Sequence, residues 1–142
     1  MKESRKILAA MLFAALGVSA LIADSPKGEN MDTRVFELRT YHAAPGKMEA
    51  LNSRFRDHTC ELFKKHGMTI IGFWNPSEAK DADKTLIYLL AFPSREAADR
   101  SWKAFVADPE WKKVKDASEK EGPLVEKIDR VFLNPTDYSP MK

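Results

Sequence analysis

The chain has 142 residues and 16.1 kDa, with 23 Lys+Arg against 21 Asp+Glu, a formal charge of +2. That length fits one domain, and a composition 44% hydrophobic and 31% charged excludes a disordered or collagen-like chain. The near-balance of charge leaves no electrostatic footprint for nucleic acid or an anionic membrane surface, and the single cysteine, Cys60, excludes an internal disulfide and a Cys-rich zinc site.

Lys2, Arg5 and Lys6 precede an uncharged, mostly apolar run from Ile7 to Ile22. A basic start, a short apolar stretch and small residues behind it describe a secretory signal peptide. Cleavage is expected after Ala20, behind Val18 and Ser19, or after Ala23. The expected organisation is therefore a signal peptide at 1–23, a flexible polar leader at 24–33 (DSPKGENMDT) and a folded domain at 34–142. The expected location is periplasmic or secreted. Residues 1–23 hold three bases and one acid, so the remainder is formally neutral.

Arg34 to Tyr41 (RVFELRTY) reads as a strand, with Phe36, Leu38 and Thr40 on one face and Val35, Glu37, Arg39 and Tyr41 on the other. After Pro45-Gly46 a helical period places Met48, Leu51, Phe55, His58 and Leu62 on one stripe. Lys64, Lys65 and His66 suit the negative end of the helix dipole, and Gly67 is the stop signal. Met68 to Trp74 is a second strand, SEAKDADK a hairpin loop, and Thr85 to Phe92 a third strand. Ser94 is the expected N-cap of a helix carrying Ala98, Trp102 and Phe105. Asp108-Pro109 restarts a helix as N-cap and first helical residue, and Gly122-Pro123 stops it. Leu124 to Leu133 is the last strand. The order β-α-β-β-α-β is the ferredoxin-like arrangement, an α+β fold. Strands 2 and 3 are apolar on both faces, and the economical cover for the second face is another copy of the sheet, giving a homodimer.

The runs ELRTYHAAPGKMEALNSRFRDHT, LFKKHGMTIIGFW, LIYLLAFPSREAADRSWKAF, DPEW and PTDYSP, in that order, resemble the NIPSNAP family over about Phe36 to Pro140. The resemblance implies a dimeric α/β barrel related in fold to cofactor-independent monooxygenases. It implies no defined reaction. Eukaryotic members are often described as vesicular or mitochondrial adaptors. The single domain and the export signal set this chain apart from them, so that role is not carried over.

His58, on the apolar stripe, is either a satisfied core histidine or an acid/base group lining a pocket between the sheet and the first helix. Arg39 and Glu37 share a face with Tyr41. They read as an exposed pair at a sheet edge or, if that face lines the barrel, as a buried pair that need each other. Trp74, Tyr88, Trp102 and Trp111 could wall an aromatic pocket or simply fill the core, and Trp74, at a strand end, is the better placed for a rim. The candidate site is thus His58 as the catalytic group, with Arg39, Tyr41, Trp74, Tyr88 and Trp102 as ligand-binding residues. Cys60 lies half a turn from the stripe and should face outward, either a partly shielded inert thiol or a link between chains. His42 lies in a turn without an evident partner. The histidines lack HxH or HExxH spacing, and neither GxSxG, P-loop nor dinucleotide fingerprint occurs, so no metal or cofactor is expected. The leading expectation is small-molecule binding in that pocket. The alternatives are a noncatalytic protein-interaction module and a monooxygenase-like enzyme that needs no cofactor.

Overall fold

The structure, a computed structural model, describes residues 34–78 and 80–142. The expected signal peptide and leader lie outside the described residues. The elements run β1 (Val35–Ala43), α1 (Met48–Arg54), a π-helical turn (Phe55–Thr59), α2 (Cys60–Lys65), β2 (Thr69–Trp74), β3 (Thr85–Phe92), α3 (Arg95–Ala107), α4 (Pro109–Ser118) and β4 (Val125–Leu133). The sheet order is β2-β3-β1-β4 with every pairing antiparallel. This is the ferredoxin-like α+β fold that the order of elements predicts.

Local chemistry sets the helix ends. At the end of α2, Met68 N–H donates to the Phe63 carbonyl and Gly67 N–H to that of Lys64, both at 3.0 Å. These two bonds form a Schellman motif around Gly67, whose φ of 72° is the left-handed conformation that favours glycine. The Ser94 hydroxyl accepts from Ala97 N–H at 3.2 Å and the Asp108 carboxylate from Glu110 N–H at 2.8 Å, starting α3 and α4. Pro109, in the first turn of α4, loses no helical bond there.

Two irregularities change which side chains face the helices. The π-helical turn adds one residue to the first helix, and Thr59 Oγ1 donates to the Arg54 carbonyl at 3.1 Å across it. The inward stripe therefore runs Leu51, Arg54, Phe55, Thr59, Leu62 and Phe63. In β2 the register shifts between Ile70 and Gly72, which makes Ile71 a bulge. Ile70 and Phe73 then both pack on the core side, while Gly72 and Trp74 take the opposite face.

The core lies between the sheet and the helices. Its centre is a run of edge-on and tilted aromatic contacts: Tyr41, Phe55, Phe63, Phe73, Tyr88 and Phe105 meet with ring centroids 5.1–6.0 Å apart. On the other face, Trp74 is 51% exposed, Val131 48% and Leu133 40%. A Cβ on Gly72 would sit 2.7 Å from the Trp74 ring, so only glycine lets that indole lie across the strand.

Candidate functional site

The helix-facing side of β1 carries charge. Glu37 is 0% exposed, and Arg39 beside it is also buried. Arg39 Nε donates to Glu37 Oε1 at 2.8 Å, and the Trp102 indole N–H donates to Glu37 Oε2. The Arg39 guanidinium stacks 3.5 Å from the Trp102 ring centroid and reaches the Tyr41 hydroxyl at 3.4 Å. The reading of Glu37 and Arg39 as an exposed edge pair is corrected: β1 lies between β3 and β4, not at an edge. Burial and the neighbouring Tyr41 push the Tyr88 phenol well above its ordinary pKa, so Tyr88 stays protonated. Its hydroxyl is buried without a partner among the described residues.

Next to this network lies a cavity of about 240 Å³ between sheet and helices. Tyr41, Val125 and Ile128 contribute from the sheet. Arg54, Phe55, Thr59 and Phe63 contribute from the first helix, Phe105 from α3, and Trp111, Lys115 and Glu119 from α4 and its end. Val125 reaches the cavity because β4 shifts register opposite His42 and Ala43. Five of the lining side chains are aromatic, and the polar groups converge on Arg54. Its Nη1 donates to Ser118 Oγ at 3.2 Å and Glu119 Oε1 at 2.9 Å, and its guanidinium lies 5.2 Å from the Trp111 ring centroid. Lys115 Nζ donates to the other Glu119 oxygen at 2.6 Å. Burial works against the Glu119 charge, but the bonds from Lys115 and Arg54 outweigh it and hold the carboxyl below its ordinary pKa.

Of the six expected site residues, only Tyr41 lines this cavity. His58 differs most from expectation. The π-helical turn rotates it off the inward stripe, so it is exposed and lines an open groove between the first helix and α4 with Asp57, Glu110 and Lys113. Trp74 lies across the sheet from the helices because of the Ile71 bulge. Arg39 and Trp102 serve Glu37, and Tyr88 is enclosed in the core. Cys60 is half-buried, a partly shielded thiol in a shallow pocket with Phe73 and Leu86, and its burial pushes the thiol pKa up. His42 lies on β1 rather than in a turn and pairs with Asp129 at 2.8 Å. Arg54 and Thr59 went unrecognised because a regular helical period gives no sign of the extra residue. Among the described residues no group of three or more His, Cys, Asp or Glu side chains could hold a metal ion, and no helix is long and apolar enough to cross a membrane.

A four-stranded ferredoxin-like sheet with one helical layer, and a cavity between them, defines a small α+β protein. The sequence model of the NIPSNAP family matches residues 36–140, and the chain belongs to that family. Similar solved structures include a NIPSNAP family protein of unknown function from Agrobacterium tumefaciens, 21% identical, with a TM-score of 0.67 over 77% of this chain and 94% of that one. A second Agrobacterium tumefaciens NIPSNAP family protein is 22% identical, with a TM-score of 0.65 over 77% and 99% of the two chains. A NIPSNAP-like domain protein from Burkholderia xenovorans is 19% identical, with a TM-score of 0.66 over 75% and 89%. These likenesses show the fold. Comparison with curated proteins finds no significant match.

Proposed function

We propose that this protein binds a small, largely apolar molecule in the cavity between its sheet and helices. The observation that carries the reading is the cavity itself: five aromatic side chains around a few converging polar groups, the usual composition of a small-molecule site. Binding fits the residues better than turnover. The Thr59 hydroxyl is committed to the Arg54 carbonyl. Glu119 is ion-paired, and its lowered pKa makes it a weak base near neutrality.

Thermal unfolding against a panel of small aromatic compounds tests this. At least one compound should raise the melting temperature, and Thr59→Phe, which fills the cavity, should remove the effect. A panel that leaves the protein unmoved at millimolar concentration would overturn the proposal. The same reading includes export of the chain after removal of its first residues, and a second copy covering the outer sheet face. Fractionation of the producing cells with mass measurement of the mature chain tests export. A full-length chain retained in the cytoplasm would refute it.

A further inference from the structure

α4 is the least anchored element of the helical layer. None of its ten residues is buried, and only Trp111, Val114 and Ser118 are even half-buried. The first helix and α3, by contrast, send apolar side chains into the core, Leu51, Leu62 and Phe63 from the one and Ala98 and Phe105 from the other. Space also lies on two sides of α4. Trp111 and Lys115, with Glu119 just past the helix end, form one face at helical spacing and line the cavity. Val114, Ala117 and Ser118 line the open groove of about 560 Å³ against the first helix, and Arg54 borders both spaces.

What holds α4 is largely polar and sits at its ends. At the start, Asp108 accepts from Lys65 at 2.9 Å and contacts His66 at 2.7 Å. At the end, Arg54 Nη1 donates to Ser118 and Glu119. Between these clasps Trp111 rests on Phe105, with ring centroids 4.5 Å apart. Polar bonds are exchanged for bonds to water when a segment lifts away, so releasing them costs less than exposing a packed apolar face. The end clasp also leaves Arg54 Nε buried without a partner among the described residues, a cost that water relieves once α4 lifts. Both junctions suit a turn of the helix. Asp108 is a single extended residue between α3 and α4, and Gly122, at a φ of 103°, precedes Pro123 and β4. A few residues at element ends are where lids hinge.

We propose that α4 is the movable wall of the cavity, lifting from the first helix as one unit about Asp108 and Gly122 to admit and release the ligand. Trp111 is carried with it, so the same movement that frees the clasps withdraws an aromatic side chain from the cavity wall. This assignment rests on the reading of the cavity as a ligand site and adds to it the element that opens it.

Hydrogen exchange of the parent protein tests the motion without any substitution. Amides 112–118 are expected to exchange together, at least about tenfold faster than the hydrogen-bonded amides of β1, through an opening too local to respond to low urea. With 2-naphthol present at about ten times its dissociation constant, the same amides should slow about tenfold, because the open form does not hold the compound. Asp108→Asn keeps a cap on α4 but loses the charge that Lys65 and His66 hold, and Asp108 does not line the cavity. This variant should speed both the exchange of 112–118 and the release of 2-naphthol, each by about tenfold. Exchange of 112–118 only in step with β1, exchange unmoved by bound 2-naphthol, or release untouched by Asp108→Asn overturns the movable wall and leaves a rigid cavity. Failure of 2-naphthol to bind at millimolar concentration overturns the cavity reading, and the movable wall with it.

Discussion

Asp108 ties the end of α2 to the start of α4 through one carboxylate. It caps α4 through Glu110 N–H, and its Oδ2 accepts from Lys65 Nζ at 2.9 Å and contacts His66 Nε2 at 2.7 Å, at the end of α2. The bonds from Lys65 and His66, then that from Glu110 N–H, hold its pKa far below the usual carboxylate range. A group whose folded pKa is depressed stabilises the fold above its unfolded pKa, and that stability drains away as pH falls toward the folded value. The protein should therefore lose stability in acid, beginning near pH ~4 where an unfolded aspartate protonates. Asp108→Asn should be less stable at neutral pH and show a flatter decline. Urea unfolding midpoints measured across the acid range would check this, and parallel slopes for the two proteins would refute it. Glu37 is the other carboxylate with large leverage. Glu37→Ala would leave Arg39 buried without its counter-charge, a loss of about 3–5 kcal/mol, whereas replacing Glu37 and Arg39 together by Leu and Met should restore much of it. Denaturant unfolding of the single and double variants measures the difference.

At the scale of elements, what was legible in the sequence is what is encoded locally. Ser94, Asp108-Pro109 and Gly67 each act through bonds within a few residues, and the helix ends they predict are the ones found. The face of a helix or strand is a different kind of information, because one extra residue rotates everything after it. The π-helical turn does this to the first helix and the Ile71 bulge to β2, and neither is marked by a residue type that a local pattern would single out. His58 and Trp74 left the expected pocket for that reason, while Arg54 and Thr59 entered it. Tyr41, on a strand whose alternation stays regular up to His42, kept its place. The extra residue is testable by removing it. Deleting exposed His58 would restore a regular helix in which Leu51, Phe55, Thr59 and Leu62 keep one stripe. The deletion variant is expected to fold, since His58 itself is exposed, but to lose binding of the aromatic compounds that stabilise the parent, because Arg54 and Thr59 shift relative to each other in the cavity wall. Loss of folding would show that the turn is needed for the fold itself. Undiminished binding would show that it has no part in shaping the site.

At the scale of the whole molecule, the sheet is used unevenly. The described helices pack on the face of Glu37, Arg39 and Tyr41, while Trp74, Val131 and Leu133 remain substantially exposed on the other. His42, Lys127 and Asp129 make a polar end to that face, which leaves the apolar part toward Leu133. A soluble domain seldom leaves such a face open. A second copy meeting it by a two-fold axis would bury the same residues twice and bring two sheets together. It would also shield the indole that Gly72 allows to lie flat. Sedimentation of the purified protein at micromolar concentration is expected to give twice the chain mass. Val131→Lys combined with Leu133→Lys should give the single mass, because each dimer would then bury four added charges near the axis. Trp74 emission should shift to the red in that variant as water reaches the ring, while the binding of aromatic compounds in the cavity, on the opposite face, should change far less. A monomeric parent protein would remove the case for the paired sheets. A variant that became monomeric and lost the ligand together would instead show that the second copy shapes the cavity across the sheet.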